Sequence, residues 1–452
     1  KNPHYTVLSE KLHRCNRKLI PNCFSCILDH IVPNNQILQH HSVAIDGGRI
    51  IEVLPTWEAK QKYNSTETQE LSQHILMPGL VNTHCYTSSR LVRGIDNSMQ
   101  EKQGIETEAK DAEKIYSDTK FVTDSINIAI AEMIKTGTTC FAEMGSAGEL
   151  SVEAACKAGI RNQTNFTLQE KTSAYGKNAE DYLHRGLKLR DNYSNHPLIK
   201  VACGIYDIAD LEDKTLERLA AYANELDLPI QALCNESLAS IEACYKKTGC
   251  RPLQRLNSQG LLLPETQLVG MNHLNSDDLS LLASTNNPVV ICPEETSSLS
   301  SNVGWLDSLV QANINLSLGA SRSATNKNLN LMASVKTAAI AIQQIQCCTQ
   351  SDAAHQALSM ATINGAKTLG WNSQIGSIEH GKYADLIAVE IDSIHHQPLY
   401  NPAAQLVYSC TSSPITHNWV AGQPLLNAGT LCTLDEQKLI QSAKDWGKKL
   451  IN

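Results

Sequence analysis

The stretch MPGLVNTHCY, residues 77–86, decides the fold of this chain. It is a short apolar run of the kind that forms a buried parallel strand. Seven similar runs follow, and amphipathic stretches such as 216–228 (LERLAAYANELDL) separate them. The candidate strands are 79–86, 138–144, 162–168, 200–206, 229–236, 268–274, 288–294 and 314–321. About eight βα units over residues 77–375 predict an α/β protein with a (β/α)8 TIM barrel, whose functional groups lie at the carboxyl ends of the strands.

The two ends of the chain have a different pattern. Residues 42–55 (SVAIDGGRIIEVLP) predict two strands joined by a Gly-Gly turn, which is a β-hairpin. Residues 375–390 and 417–425 are also rich in strand-forming residues and turns. We therefore predict a small β-sandwich domain built from residues 1–76 and 376–452, beside a barrel that spans residues 77–375.

Composition excludes several classes of protein. Of 452 residues, 42% are hydrophobic and 19% are charged, which is typical of a globular chain. The net charge is −8 and no long basic run occurs, so we expect no nucleic-acid partner. No run approaches about 18 apolar residues, so we expect no membrane span. The polar first residues and the 15 scattered cysteines favour a reducing, cytoplasmic location.

Five motifs carry a resemblance to a known family. They are MPGLVNTH (77–84), KTGTTCFA (135–142), CPE (292–294), ATINGA (361–366) and GSIEHGKYADLI (376–387). Together they resemble the amidohydrolase superfamily, in particular its branch of 5-methylthioadenosine/S-adenosylhomocysteine deaminases and triazine chlorohydrolases. The resemblance covers almost the whole chain. It implies a barrel of the metal-dependent hydrolase type, and a divalent metal, usually zinc, that activates water to displace ammonia or another leaving group.

The resemblance also implies five metal ligands: a His-x-His pair on strand 1, one His each on strands 5 and 6, and an Asp on strand 8. In this chain the first position is His84 and the second is Tyr86. The other three positions are Leu233, Gly270 and Ser321. A phenol, a leucine, a glycine and a serine cannot together hold zinc, which binds imidazole, thiolate or carboxylate groups. We therefore expect a degenerate metal site and no metal cofactor.

Further positions follow from the same resemblance. The proton-shuttling Glu of strand 5 remains as Glu236, whereas Tyr206 and Ile291 replace histidines of strands 4 and 7. Arg161 stands where the family has an Arg that reaches a nucleoside, although a surface or helix-capping role is an equal alternative. Arg322 directly follows Ser321, which stands at the position of the family's metal-binding Asp. A cation at this place would replace the positive charge of the lost metal. The predicted ligand pocket contains Tyr86, Arg161, Tyr206, Leu233, Gly270, Ile291, Ser321 and Arg322.

His84 and Glu236 each have two interpretations. His84 is either a vestigial residue of the barrel lumen, hydrogen-bonded to a neighbour such as Tyr86, or a general base in altered chemistry. Glu236 is either a relic of the proton shuttle or a carboxylate paired with a cation such as Arg322. The segment 98–104, after strand 1, is charged and lacks Trp, so it would exclude water from a substrate poorly.

Cysteines near the ligand positions do not replace the missing ligands. Cys85 and Cys234 each adjoin a ligand position, but side chains alternate along a strand, so both are expected to face the helices. Cys203 has the parity opposite to that of Tyr206, and we expect it to point outward as well. A relocated Cys/His metal site is therefore not expected.

The sequence predicts an amidohydrolase-fold pseudoenzyme of the nucleoside-deaminase branch. We expect it to bind a small molecule in the barrel mouth or to act as a regulatory subunit. One alternative is a hydrolase of C–N bonds other than peptide bonds, a deaminase or chlorohydrolase, that uses His84 and Glu236 in altered or metal-independent chemistry. Another is the conventional zinc-dependent deamination. By resemblance alone, we expect a homo-oligomer, either a dimer or a tetramer.

Overall fold

The computed structural model describes residues 17–26, 37–93, 117–145, 147–173, 175–294, 304–320, 328–409 and 415–451. The strands of this part are, in chain order, β1 (Arg17–Cys26), β2 (Ile37–Asp46), β3 (Arg49–Pro55), β4 (Glu67–Thr68), β5 (His74–Pro78), β6 (Leu80–Cys85), β7 (Thr138–Gly145), β8 (Arg161–Thr167), β9 (Ile199–Ile205), β10 (Ile230–Cys234), β11 (Thr266–Gly270), β12 (Val289–Ile291), β13 (Leu316–Leu318), β14 (Leu386–Glu390), β15 (Ile415–Val420), β16 (Gln423–Asn427) and β17 (Thr430–Leu431).

The helices of the same part are α1 (Thr56–Lys62), α2 (Thr119–Lys135), α3 (Gly148–Ala158), α4 (Ala179–Tyr193), α5 (Asp213–Leu226), α6 (Leu238–Thr248), α7 (Pro252–Ser258), α8 (Ser276–Thr285), α9 (Gly304–Gln311), α10 (Leu331–Gln346), α11 (Gln350–Met360), α12 (Ile363–Thr368), α13 (Pro402–Tyr408) and α14 (Glu436–Ile451). Short 3₁₀ turns lie at Arg90–Val92 and Ile208–Asp210.

Side-chain caps mark where several helices begin. Asp118 accepts hydrogen bonds from the backbone N–H groups of Lys120 and Phe121 at the start of α2. Asn178 and Asn275 cap α4 and α8 in the same way. These oxygens satisfy backbone donors that have no partner within the helix, so the local sequence determines where these helices begin.

Strands β6 to β13 form one parallel sheet in chain order, which confirms the predicted (β/α)8 barrel. The barrel is nearly closed, and side chains connect its first and last strands. The Thr83 hydroxyl donates to the Leu318 carbonyl oxygen at 2.8 Å, and the Asn82 carboxamide oxygen accepts the Ala320 N–H at 3.0 Å. Because all strands run in one direction, their carboxyl ends meet at one mouth.

A second, separate sheet uses strands from both ends of the chain. Its order is β17-β16-β15-β14-β5-β1-β2-β3, with β4 beside β1. Strands β5 and β14 pair antiparallel, with Met77 opposite Ile387, and so bring the two chain ends together. The predicted hairpin is β2–β3, and both glycines of its turn, Gly47 and Gly48, have positive φ (56° and 79°). Two positive φ values match the right-handed twist of the paired strands.

The last helix packs on the barrel. Trp446 of α14 meets Phe121 of α2 edge to face, with 5.2 Å between ring centroids. The Trp446 ring N–H also donates to Asp124 of α2 at 2.8 Å. The segment 376–452 therefore contributes strands to the second sheet and a helix to the outside of the barrel. None of the described helices is long and apolar enough to cross a membrane.

Candidate functional site

The carboxyl ends of the barrel strands collect most of the predicted site residues. His84 lies on β6 and Leu233 on β10, while Gly270 and Ile291 end β11 and β12. The other predicted residues of the mouth directly follow strands: Tyr86 follows β6, Tyr206 follows β9, and Glu236 comes two residues after β10. Three predicted features lie outside the described residues: Ser321, Arg322 and the segment 98–104.

His84 is fixed by Gln231, a residue that the sequence analysis missed. The Gln231 carboxamide NH₂ donates to the Thr83 carbonyl oxygen at 3.0 Å. A backbone carbonyl only accepts, so the Gln231 oxygen must be the atom that faces His84 Nδ1, 2.8 Å away. His84 therefore donates from Nδ1. The imidazole is 1% exposed.

This contact belongs to a buried amide network that spans the barrel lumen. Gln231 also donates to Gln267 at 2.8 Å and accepts from Asn165 at 3.2 Å. Gln163 and Gln267 exchange hydrogen bonds of 2.9 and 3.1 Å. Gln163 and Asn165 are two residues apart on β8, so strand alternation directs both into the lumen. This spacing is the sequence signal that could have identified the network.

An apolar group, here called the lumen cluster, adjoins this network. It contains Tyr86, Met144, Leu233, Val269, Val290 and Cys292. The Tyr86 ring meets the His84 ring edge to face, with 5.1 Å between centroids. Leu233 is 8% exposed and Cys292 is 9% exposed, so water has little access to this group. The lumen cluster therefore occupies the level of the strands at which the resemblance implies metal ligands.

The residues at the described ligand positions do not fit a zinc ion. Of the five positions, the structure describes four, and these carry an imidazole, a phenol, a leucine and a glycine. Within the described part of the chain, no three His, Cys, Asp or Glu side chains are grouped as a metal would require. Zinc needs about four nitrogen, sulfur or oxygen donors in tetrahedral array.

The backbone conformation of Gly270 disfavours residues with a side chain. Its φ is +98°, a region that L-residues with a side chain rarely adopt. A Cβ at this position would lie 3.1 Å from the Cys234 carbonyl oxygen and 3.4 Å from the Cβ of Glu236. A side chain at this position would therefore lie against Glu236 and would be strained.

The loop that carries Glu236 is held by backbone and side-chain hydrogen bonds. The Met271 N–H donates to the Cys234 carbonyl oxygen at 2.8 Å, and the Asn272 amide donates to the Glu236 carbonyl oxygen at 3.2 Å. Asn235, with φ of 49°, donates to buried Asp278 at 3.1 Å. These contacts fix the backbone on both sides of Glu236.

The neighbouring cysteines face away from the lumen, as strand alternation predicts. Cys85, Cys203 and Cys234 are buried in the core between the barrel and its helices. Burial raises the pKa of all three thiols, so they are neutral near pH 7 and poor metal ligands. Cys292 instead belongs to the lumen cluster.

Arg161 does not join the other predicted pocket residues, and its placement in the ligand pocket is corrected here. It is the first residue of β8, at the amino end of the barrel and about 20 Å along the strand from Thr167. Its guanidinium pairs with Asp385 and donates to the Pro197 carbonyl oxygen at 2.7 Å. The alternative of a surface or helix-capping role does not fit either, because Arg161 is fully buried and begins a strand.

Glu143 is a second residue near the mouth that the sequence analysis missed. It lies near the carboxyl end of β7, opposite Cys85 in the strand register, and is 1% exposed. Its Oε2 accepts the Thr87 N–H at 2.8 Å, whereas Oε1 has no hydrogen-bond partner among the described residues. Burial raises the pKa of Glu143 to about 7. In the sequence, a charged residue within the apolar run CFAEM (140–144) could have marked Glu143 as a candidate functional residue.

Comparison with known proteins agrees with this geometry. Residues 75–425 match the Amidohydrolase family. A 5-methylthioadenosine/S-adenosylhomocysteine deaminase from Teredinibacter turnerae is 36% identical over 93% of this chain and 95% of its own length. The same enzyme from Saccharophagus degradans is 34% identical over 92% and 94%.

Solved structures give the same result for the fold. A zinc-bound adenosine deaminase from Xanthomonas campestris has a TM-score of 0.88 and 29% identity, covering 96% of this chain and 98% of its own. A triazine hydrolase from Arthobacter aurescens has a TM-score of 0.82 at 19% identity, over 95% and 99%, and shares the fold.

Proposed function

This chain belongs to the amidohydrolase family, with deaminase relatives along nearly its whole length, and we propose that it is a member without zinc-dependent hydrolysis. In this proposal it binds a small molecule at the barrel mouth or acts as a regulatory subunit. The family assignment explains the fold. The proposed loss of activity concerns the side chains inside that fold.

The lumen cluster is the observation that carries the proposal. Tyr86 and Leu233 stand at two positions that the resemblance assigns to histidines, and both pack with apolar neighbours beside His84. A catalytic zinc requires three protein donors that converge on one point, plus a water whose pKa it lowers. The described positions supply one imidazole, and its Nδ1 is engaged by Gln231.

A purine nucleoside is the ligand class to test first. The curated relatives are named for 5-methylthioadenosine and S-adenosylhomocysteine. Tyr206, at the carboxyl end of β9, is 44% exposed and presents an aromatic ring at the mouth. Such a ring can stack on a purine base.

A second candidate is a metal-independent hydrolase of non-peptide C–N bonds that uses His84 and Glu236. The hydrogen bond from His84 Nδ1 to Gln231 favours it, since a general-base histidine needs a ring held in one orientation with a proton on the distal nitrogen. The burial of His84 opposes it, because a general base must come within hydrogen-bond distance of the substrate. We therefore rank this candidate second.

Metal analysis combined with an activity assay tests the proposal. The full chain, purified without chelators, is analysed by plasma mass spectrometry for zinc and other transition metals. Ammonia release from 5-methylthioadenosine, S-adenosylhomocysteine and adenosine is measured with and without added zinc. The Teredinibacter turnerae relative, prepared identically, serves as the control for both measurements. We expect substoichiometric metal and no ammonia release from this chain.

Two results would count against the proposal. Near-stoichiometric zinc with turnover would restore the conventional activity. Turnover by metal-free protein, abolished by His84→Ala, would support the second candidate. Calorimetric titration with 5-methylthioadenosine then tests binding without chemistry. The expected homo-oligomer stays a prediction, which light scattering on a sizing column would test.

A further inference from the structure

A groove on the outside of the barrel lies between α2 and α14. It encloses about 700 Å³ and is lined by Lys120, Lys438, Gln441, Ser442, Asp445, Trp446, Lys448 and Lys449. The α14 residues recur at spacings of three and four, which places them along one face of the helix. We call this feature the lysine groove.

The floor of the lysine groove is rigid. The Asp124 carboxylate oxygen Oδ2 accepts from the Trp446 ring at 2.8 Å, from Ser442 at 2.6 Å and from Lys120 at 2.5 Å. Trp446 is 9% exposed and packs on Phe121. A partner that binds here therefore meets a preorganised surface and has little ordering entropy to overcome.

The lysine groove is positive in an acidic chain. Lys438, Lys448 and Lys449 are exposed and form no salt bridge with any described residue. Lys449 Nζ lies 4.3 Å from the Trp446 ring centroid, in a cation–π contact. The groove thus gathers four lysines against Asp124 and Asp445, although the chain carries a net charge of −8. This local excess of positive charge attracts an anionic partner.

We propose that the lysine groove binds an acidic polypeptide segment with carboxylates at both ends and an apolar residue between them. Lys438 and Lys448 are ten residues apart on α14, or about 15 Å at 1.5 Å per residue. An extended peptide spans that distance in about five residues. Trp446 lies about 12 Å along the helix axis from Lys438 and about 3 Å from Lys448. An apolar side chain of the peptide would therefore meet Trp446 near the Lys448 end of the groove. This inference does not depend on the proposed function of the barrel mouth.

The position of Asp445 favours a peptide over a nucleic acid. Asp445 lies between the two lysine positions and accepts from Gln441 at 2.9 Å. A nucleic acid carries closely spaced phosphates along its whole length, so one of them would be placed against this carboxylate. A peptide can present an apolar residue at that point and keep its carboxylates at the two ends.

Fluorescence anisotropy on the full chain tests the proposal, with a fluorescein-labelled peptide of sequence EELFEE as the probe. We expect saturable binding that weakens with added salt, because exposed ion pairs are screened. The triple variant Lys438→Ala/Lys448→Ala/Lys449→Ala should weaken binding about tenfold or more. The control triple variant Lys60→Ala/Lys157→Ala/Lys214→Ala removes the same charge elsewhere and should change binding less than about twofold.

Three outcomes would overturn the proposal. The first is no saturable binding of EELFEE up to about 1 mM. The second is equal weakening by the two triple variants, which would indicate an effect of net charge. The third is tighter binding of a labelled oligothymidine through the same three lysines, which would indicate a nucleic-acid surface. Circular dichroism and melting curves of each variant establish that the chain is folded in every measurement.

Discussion

Arg161 and Asp385 form a buried, doubly hydrogen-bonded ion pair, with Nε to Oδ2 at 2.6 Å and Nη2 to Oδ1 at 3.1 Å. Arg161 begins β8 of the barrel, and Asp385 directly precedes β14 of the second sheet. The Tyr383 ring lies 4.6 Å from the Arg161 guanidinium and 3.9 Å from that of Arg49 on β3. The pair therefore fastens the barrel to the second sheet, at the end opposite the mouth.

Arg161→Met should lower the free energy of unfolding by roughly 3–5 kcal/mol, because it leaves the Asp385 carboxylate buried without its partner. Urea denaturation measures the change. The double variant Arg161→Met/Asp385→Leu should recover part of the loss, since it removes both charges but also takes away the acceptor of the Ala421 N–H. A single variant as stable as the parent chain, or one that stays folded yet loses nucleoside binding, would contradict this structural role.

Gln231→Leu should release His84 from its fixed tautomer and cost about 1–3 kcal/mol of stability, because Gln267 and the Thr83 carbonyl also lose a buried partner. Nitrogen-15 NMR of labelled histidine, with His84→Gln used for assignment, reports the proton on Nδ1 in the parent chain. The exposed Gln344→Leu serves as the control and should change neither quantity. A parent spectrum with the His84 proton on Nε2 would refute the assignment.

Glu143→Gln should remove a pH dependence of stability. Burial raises the pKa of Glu143 from 4.5 to about 7, so the folded chain holds a proton that the unfolded chain has lost. The protonated Glu143 contributes its full share to the free energy of unfolding below pH 4.5. About 3 kcal/mol of that free energy is lost as the pH rises through 7. We expect the variant to match the parent at pH 4.5 and to exceed it at pH 8.

Unfolding curves at several pH values measure this difference. Glu217→Gln, an exposed carboxylate of α5, is the control and should give a constant difference across the range. A gap between Glu143→Gln and the parent that narrows as the pH rises would show that the sign of the shift is wrong.

His417 should make the second sheet sensitive to acid. Burial, with a further contribution from the nearby His74 charge, lowers the pKa of His417 from 6.5 to about 4. As the pH falls, the unfolded chain takes up a proton at His417 before the folded chain does. The free energy of unfolding therefore decreases by about 3 kcal/mol between pH 6.5 and 4. His417→Gln should flatten this part of the stability profile, whereas exposed His184→Gln should leave it unchanged. An identical acid slope in all three proteins would reject the prediction.

Tyr86→His/Leu233→His should create zinc affinity, because the resemblance assigns both positions, together with His84, to metal ligands, and three imidazoles suffice for a zinc site. Isothermal titration with zinc measures the gain, and Tyr86→Gln/Leu233→Gln is the size-matched control. Adding Gly270→His should cost roughly 1–3 kcal/mol of stability, since φ at this position is +98°. A folded double-His variant with no zinc affinity would mean that the ligand positions are misassigned.

Local patterns predicted much of the fold. Apolar runs separated by amphipathic stretches predicted the barrel, and the Gly47-Gly48 pair predicted the hairpin turn. The family resemblance, read from five short motifs, is confirmed by the match over residues 75–425. Strand alternation also predicted correctly that Cys85 and Cys234 face the helices. Each of these properties depends on neighbours within a few residues, where the period of the strand or helix decides the direction of a side chain.

Partners distant in sequence could not be predicted in this way. Arg161 pairs with a carboxylate 224 residues away, and His84 is bonded to Gln231 across the barrel, 147 residues away. The pKa of Glu143 depends on burial by several elements. The sequence by itself determined the fold, the family and which residue types occupy the ligand positions. Only the tertiary structure decided which buried polar groups meet, because hydrogen bonding and desolvation depend on distances that close when the barrel forms.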